Sequence, residues 1–175
     1  MPDIKNNAFD DAVVVALGSN LRGDYRSNRD LLEAALRRLP DVGLEVTKAS
    51  RWWRSAAWPD RAHPDYLNGV ALVETGLSPR EVMDALLRVE AAFGRRRGAP
   101  NAPRTLDLDL IAHGRAVIDA PGLTLPHPRA HERRFVMGPL AEIAPGWSHP
   151  RTGQTAEALA VVAGIGWDAT PAEEV

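Results

Sequence analysis

The sequence predicts an α+β fold in which an antiparallel sheet carries helices on one face. An apolar run at 12–17 is typical of a buried strand. Two later segments space their apolar residues as helices do, and another alternates polar and apolar residues as a strand does. In order, the predicted elements are strand 12–17, helix 27–39, strand 44–55, strand 66–75, helix 78–94 and strand 105–112.

Local signals set the bounds of the first elements. Ser27 is a suitable N-cap for the first helix, and Pro40 and Gly43 end that helix. The strand at 44–55 is predicted from its β-branched and aromatic residues. The stretch 56–65 has two prolines and no period, so we expect a loop there.

The second helix has the strongest start signal. Ser78 is its N-cap, Pro79 takes the first helical position, Glu81 completes a capping box, and Gly94 is the expected C-cap. Beyond the last strand we expect a turn at 113–115, a short edge strand at 116–118 that pairs back, a loop at 119–131, and helices at 132–141 and 155–163.

The order strand–helix–strand–strand–helix–strand is that of the ferredoxin-like βαββαβ fold, here with a C-terminal extension. Its second sheet face is expected to be free for a site. A length of 175 residues indicates a single domain. Residues 1–10 and about 168–175 are expected to be loose tails.

Composition limits the possible functions. Cysteine is absent, which excludes disulfides and thiolate metal sites and agrees with a cytoplasmic location. The net charge of −2 argues against a general nucleic-acid binder. No run approaches the roughly 18 apolar residues of a membrane span, and the polar N-terminus does not resemble a signal peptide. Nothing suggests a large apolar patch, so we expect a monomer.

The sharpest chemical signal is the acidic pair Asp107 and Asp109. Because strand side chains alternate, the neighbouring leucines should face the core and both carboxylates the open face. Their Cα atoms would lie about 6.7 Å apart, which suits two shared divalent ions. A solvated polar face is the alternative, but Asp is depleted in strands and like charges repel. Oxygen ligands favour Mg²⁺ or Mn²⁺ over Zn²⁺.

A basic loop at 95–104 precedes this strand and contains Arg95, Arg97 and Arg104. Arginines beside metal-binding carboxylates are typical of phosphoryl transfer, although a solvated loop would have the same composition.

Three further features each have two interpretations. Gly18-Ser19-Asn20 could be a phosphate nest or a plain turn, His127 could contact phosphate or order a Pro-rich loop, and Tyr66 with Asn68 could bind a flat heterocycle or form a surface pair.

Taken together, these segments resemble the 6-hydroxymethyl-7,8-dihydropterin pyrophosphokinase family of folate biosynthesis. The ordered matches are VALGSN at 15–20, DYLN at 65–68, Glu90 with GRRR at 94–97, PRTLDLDLI at 103–111, LPHP at 125–128, RRF at 133–135 and PL at 139–140. The resemblance implies transfer of a diphosphoryl group from ATP to a pterin alcohol, with two Mg²⁺ ions.

The resemblance also implies residue roles. Asp107 and Asp109 would hold the two metal ions, while Arg95 and Arg104 would contact the phosphates and stabilise the transfer. The other implied nucleotide contacts are Glu90, Arg97, Thr124, His127 and Arg133. The implied pterin contacts are Ser55, Trp58, Tyr66, Asn68 and Phe135, with Tyr66 and Phe135 on the two sides of the ring and Asn68 at its polar edge.

The chain departs from the family pattern at several positions. Asn101-Ala102 stands where many members have Trp-Gly, and Leu87, Gly122 and Ala56-Ala57 replace other frequent residues.

Two alternative functions would use the same sequence features. An RNA-binding module could share the fold, although two Asp on a central strand would repel phosphates. A metal-dependent phosphohydrolase could use the same acidic pair but would need a base to position water.

Overall fold

The computed structural model describes residues 8–57, 60–94 and 105–173. Within these ranges the strands are β1 (Val13–Ser19), β2 (Glu45–Ala49), β3 (Trp53–Ser55), β4 (Tyr66–Glu74), β5 (Asp107–His113), β6 (Ile118–Ala120), β7 (Leu123–Leu125) and β8 (Thr170–Pro171). The α-helices are α1 (Asn28–Arg38), α2 (Pro79–Ala92), α3 (Arg134–Ile143) and α4 (Ala156–Val162).

The main sheet is antiparallel, which confirms the predicted α+β class. Among the described strands the order is β5–β1–β4–β3–β8, and β2 also pairs with β4. The predicted apolar strand is β1, and it is buried along its whole length. The N-caps form as predicted: Ser27 Oγ accepts from the N–H of Asp30, and Ser78 with Glu81 forms a capping box. The C-cap of α2 is Phe93, and the expected cap Gly94 follows it with a φ of +78°.

The strand predicted at 44–55 is divided into β2 and β3, so this prediction was wrong in detail. At the break, Ser50 Oγ accepts a hydrogen bond from the N–H of Val70, 3.0 Å away. The Trp52 ring packs against Gly69, where a Cβ would approach the ring to 2.6 Å. The chain therefore bends where a tryptophan occupies the space that a glycine leaves open.

Helices cover both faces of the sheet, whereas the sequence predicted helices on one face. Val13, Val15 and Leu17 of β1 belong to a core closed by α1 and α2. Val14 and Ala16 belong to a second core, which also contains residues of α3 and α4. The second face is thus covered at the end that holds Val14, and Asp107 and Asn68 lie at its other end, beside Gly18.

The segment after β5 is more regular than expected. The predicted loop at 119–131 contains most of a hairpin in which Ile118 of β6 pairs with Leu125 of β7. The expected edge strand at 116–118 therefore pairs forward with β7. Helix α3 runs over Arg134–Ile143 instead of 132–141. Helix α4 lies within the predicted range 155–163, with Thr155 as its N-cap.

The predicted C-terminal tail is partly structured. Thr170 and Pro171 form β8, which pairs with β3, and Ala169 is fully buried. At the other terminus Phe9 packs against the second core. In the described part of the chain, no helix is long and apolar enough to cross a membrane.

Candidate functional site

The acidic pair lies on β5 as the alternation predicted. Leu106, Leu108 and Leu110 are buried in the core closed by α1 and α2. Asp107 and Asp109 alternate with these leucines and are partly exposed. Since successive strand residues point to opposite faces, both carboxylates project from the second face of the sheet.

Asp107 lies in a row of residues that crosses three strands. It pairs with Gly18 of β1, and Gly18 in turn pairs with Asn68 of β4. A Cβ at Gly18 would lie 2.8 Å from the Asn68 side-chain oxygen. The Asn68 amide therefore lies over the bare backbone of Gly18. With strands about 4.8 Å apart, β4 and β5 are separated by about 10 Å, which leaves room for a ligand between amide and carboxylate.

Gly18 and Ser19 are the last two residues of β1. Their extended conformation argues against both the phosphate nest and the plain turn at these two positions. Ser19 is buried, and its Oγ donates to the carbonyl of Leu21 at 3.1 Å. Asn20 follows the strand, and its side-chain amide donates to the carbonyl of Pro64 at 3.2 Å. Asn20 thus joins the end of β1 to the loop before β4.

Two other predicted pterin contacts, Ser55 and Tyr66, lie beside Asn68. The Asn68 Nδ2 donates to Ser55 Oγ at 3.3 Å, and both residues are buried. Tyr66 pairs with Ser55 across β3 and β4 and lies two residues from Asn68, hence on the same face. Trp53 pairs with Asn68 and packs on Gly138 of α3. This packing fixes β3 against α3.

Phe135, the other predicted aromatic contact, lies in the first turn of α3. The Arg133 guanidinium carbon is 5.7 Å from the centre of the Phe135 ring, a distance at which a cation and a ring attract. The start of α3 therefore carries a predicted nucleotide contact and a predicted pterin contact next to each other.

A cleft of about 290 Å³ lies beside the acidic pair. It contains three predicted site residues, Asp109, Thr124 and His127, and is also lined by Met83 of α2. A cleft of about 300 Å³ elsewhere is lined by Arg29, Arg51 and Glu142 among others and holds none of the predicted residues. Because the two clefts are similar in volume, we identify the candidate site by the residues that line it.

The His127 loop is fixed to β5 by its backbone. The N–H of His127 donates to the carbonyl of Ile111 at 2.8 Å, and Nδ1 of its ring accepts from the N–H of Arg129 at 3.2 Å. Burial, with Arg133 as the next cause, lowers the pKa of His127 to about 4, and Asp107 opposes the shift. The imidazole is therefore neutral at pH 7, with its proton on Nε2.

Glu90 is a predicted nucleotide contact whose burial and hydrogen bond to β5 were not predicted from the sequence. It is 3% exposed, and its carboxylate accepts a hydrogen bond from the backbone of β5. Its helical position in α2 is the signal that could have shown this, since Glu90 follows Val82, Leu86 and Val89 on the buried face. Trp58, Arg95, Arg97 and Arg104 lie outside the described residues.

The donor set of Asp107 and Asp109 fits Mg²⁺. Among the described residues no group of three or more His, Cys, Asp or Glu side chains is arranged to hold a metal ion. A pair of carboxylates is nonetheless what Mg²⁺ uses when substrate phosphates and water supply its other ligands. The partial exposure of both side chains leaves space for such ligands.

An α+β chain with a carboxylate pair on an antiparallel sheet, between a cleft and a cluster of aromatic and amide groups, has the features of a phosphoryl-group transferase. Comparison with known proteins supplies the family. Residues 14–145 match the family model of 7,8-dihydro-6-hydroxymethylpterin-pyrophosphokinase. The chain belongs to this family, and this membership decides against the RNA-binding and phosphohydrolase alternatives.

Similar proteins agree with this membership. A 2-amino-4-hydroxy-6-hydroxymethyldihydropteridine pyrophosphokinase of Synechocystis is 46% identical over 81% of this chain and 71% of its own length. The protein of the same name from Pseudomonas aeruginosa is 38% identical over 85% of this chain and 90% of its own length.

Longer relatives also contain this domain. The folic acid synthesis protein fol1 of Pneumocystis carinii is 34% identical over 85% of this chain, which spans 20% of that protein. The crystal structure of Plasmodium falciparum HPPK-DHPS superposes with a TM-score of 0.66 at 11% identity, over 86% of this chain and 44% of that one. At that identity the likeness concerns the fold alone.

Proposed function

We propose that the protein transfers the diphosphoryl group of ATP to 6-hydroxymethyl-7,8-dihydropterin, a step of folate biosynthesis. Family membership over residues 14–145 supports this activity. The observation that carries it is the row Asp107–Gly18–Asn68, with the cleft that contains Asp109, Thr124 and His127 beside it. This row lies between a predicted phosphate site and a predicted pterin site.

In the reaction, the pterin hydroxyl oxygen attacks the β-phosphorus of ATP. A bond forms between that oxygen and the phosphorus, the bond from the phosphorus to the oxygen bridging the α- and β-phosphates breaks, and AMP leaves. The hydroxyl proton is released. Because the chemistry needs positioning and charge stabilisation more than covalent participation of the protein, the roles of the side chains are to bind, orient and neutralise.

Asp107 and Asp109 would hold two Mg²⁺ ions together with the ATP phosphates. When bound, Mg²⁺ would supply positive charge that neutralises the charge developing on the phosphates. Arg95 and Arg104 are assigned to the transferring phosphates, and Glu90, Arg97, Thr124, His127 and Arg133 to the nucleotide site. The neutral ring of His127 can donate from Nε2 to a phosphate oxygen.

Ser55, Trp58, Tyr66, Asn68 and Phe135 are assigned to the pterin. The Asn68 amide has a defined orientation because its Nδ2 donates to Ser55 Oγ. Its oxygen can then accept from a donor on the edge of the ring, while Tyr66 and Phe135 stack on the ring faces. A flat heterocycle with a polar edge matches such apolar walls with a few polar groups.

The test is to identify the nucleotide product. Incubation with ATP, Mg²⁺ and the pterin alcohol should convert ATP to AMP in equal amount with the pterin diphosphate, as measured by phosphorus NMR and chromatography. Omitting the pterin should stop ATP consumption. ADP as the stoichiometric product, or ATP hydrolysis without the pterin, would contradict the assignment.

We also propose that the sheet has the ferredoxin-like topology. The strand order β5–β1–β4, with β2 and β3 beyond β4, supports this topology. We also propose a single pyrophosphokinase domain that acts as a monomer in the cytoplasm, without nucleic-acid or membrane partners. Sedimentation of the purified chain tests the oligomeric state.

A further inference from the structure

A short C-terminal segment, Ile165–Ala172, touches both walls of the proposed pterin site. We call it the C-terminal strap. It follows α4 and lies beyond residue 145, where the family match ends. Its contacts on one side reach the start of α3, which carries Phe135, and on the other side they reach β3 and the residue after it.

On the α3 side, backbone hydrogen bonds fix the strap next to Phe135. The N–H of Ile165 donates to the carbonyl of Glu132 at 2.9 Å, and the N–H of Arg134 donates to the carbonyl of Ile165 at 2.8 Å. The Arg134 side chain adds a third bond from Nε to the carbonyl of Ala169 at 3.0 Å. Two residues just before Phe135, Glu132 and Arg134, are therefore bonded to the strap.

Gly166 lies directly against the Phe135 ring. A Cβ at residue 166 would lie 2.5 Å from Cδ1 of Phe135, and the φ of Gly166 is +69°. A side chain at this position would strain the backbone and displace the ring. Gly166 thus sets how closely the strap can approach the aromatic side chain that we assign to one face of the pterin.

On the β3 side, the strap fixes the wall formed by Ser55 and Ala56. Thr170 and Pro171 pair with Arg54 and Trp53. The carboxylate of Asp168 accepts a hydrogen bond from the N–H of Ala56, with 2.9 Å between Oδ2 and N. This bond holds the backbone just after Ser55, whose hydroxyl accepts from Asn68.

We propose that Gly166 and Asp168 are positioning residues for the pterin, which they affect through Phe135 and through the Ser55–Ala56 backbone. The inference rests on the proposed function, because it uses the pterin roles of Phe135, Ser55 and Asn68. Together with the packing of Trp53 on Gly138, the strap sets the spacing between β3 and α3, and therefore the width of the space in which the ring is held.

The central experiment compares Asp168→Ala with Asp168→Asn in the full-length chain. Loss of a charged acceptor should raise the KM for the pterin about tenfold in Asp168→Ala, with the KM for ATP and the melting temperature close to wild type. Asp168→Asn should restore the pterin KM because its amide oxygen can accept the same bond. Trp167→Ala is the matched control, since that neighbouring side chain is 70% exposed, and it should leave both KM values unchanged.

Gly166→Ala tests the other wall and should weaken pterin binding without changing the affinity for ATP. Should that variant fail to fold, the Asp168 pair still decides the matter. An unchanged pterin KM in Asp168→Ala would overturn the inference. An equal rise of both KM values with a lowered melting temperature would also overturn it, because it would show a general structural role.

Phe135→Ala separates this inference from the proposed function. If Phe135→Ala weakens pterin binding and Asp168→Ala does not, the positioning role is wrong and the pocket assignment stands. If Phe135→Ala leaves pterin binding unchanged, the pocket assignment is wrong, and the inference falls with it.

Discussion

The buried carboxylate of Glu90 accepts a hydrogen bond from the backbone N–H of Leu108, with 3.2 Å between Oε2 and N. Leu108 lies between Asp107 and Asp109, so this bond joins α2 to the part of β5 that carries the acidic pair. Glu90 therefore has a direct means of holding the two carboxylates in place, in addition to any contact with the nucleotide.

Replacing Glu90 should affect stability and metal dependence together. Glu90→Leu leaves the N–H of Leu108 without this acceptor in a buried place, which should lower the free energy of unfolding by about 1–3 kcal/mol. It should also raise the Mg²⁺ concentration needed for half-maximal turnover, because β5 loses the hydrogen bond that joins it to α2 beside the acidic pair. Denaturant unfolding and Mg²⁺ titration measure the two effects. Glu90→Gln keeps an acceptor oxygen and should recover most of the stability; equal losses in both variants would argue against the hydrogen bond as the cause.

Asp107→Ala and Asp109→Ala should each abolish turnover while the protein remains folded. Both side chains are partly exposed on the face opposite the leucines, so their removal opens no cavity in the first core. Asp119→Ala on β6 is a control with an exposed carboxylate. Near-normal turnover of either variant at saturating Mg²⁺ would show that the residue is not an essential metal ligand.

Gly18→Ala should weaken pterin binding and leave the protein stable. A Cβ at residue 18 would lie 2.8 Å from the Asn68 side-chain oxygen, so the amide must move and strain its hydrogen bond to Ser55. The protein should stay folded because the nearest backbone atom, the carbonyl oxygen of Leu67, is 3.8 Å from the added Cβ. A pterin KM raised about tenfold, or about 1.4 kcal/mol, is expected for one displaced hydrogen bond, with the KM for ATP unchanged. Gly76→Ala is the matched control because nothing lies within 4 Å of its added Cβ. Wild-type pterin KM in Gly18→Ala would mean that Asn68 does not contact the ring.

The free energy of unfolding should fall as the pH drops from about 6.5 to about 4. The pKa of His127 is lowered from its ordinary value of 6.5 to about 4, mainly by burial. Within that window the unfolded chain binds a proton that the folded chain does not, so acid favours unfolding, by at most about 1.4 kcal/mol per pH unit for one group. His127→Gln should reduce this slope in denaturant unfolding without ATP.

The slope should not vanish in His127→Gln, because burial lowers the pKa of His149 as well. The useful comparison is therefore between wild type and variant over the same pH range. Slopes that coincide between pH 4 and 6.5 would show that His127 is not buried as a neutral ring.

The acidic pair was predictable because the rule behind it is local. Leu106, Leu108 and Leu110 alternate with Asp107 and Asp109 in the sequence, and strand geometry places the two sets on opposite faces. The helix caps at Ser27 and Ser78 were predictable for the same reason, since each depends on residues within one turn. Predicting these features requires no knowledge of which strands pair with each other.

Sequence alone therefore determined the α+β class, the capped starts of α1 and α2 and the common face of Asp107 and Asp109. Only the tertiary structure decided that Gly18 lies beneath the Asn68 amide, that α3 and α4 cover part of the second face, and that Asp168 holds the N–H of Ala56 in a segment expected to be loose. Those relationships depend on strand register and packing between residues far apart in the chain. A short segment such as the one after α4 has no periodicity of its own, and its structure comes from the strand it pairs with.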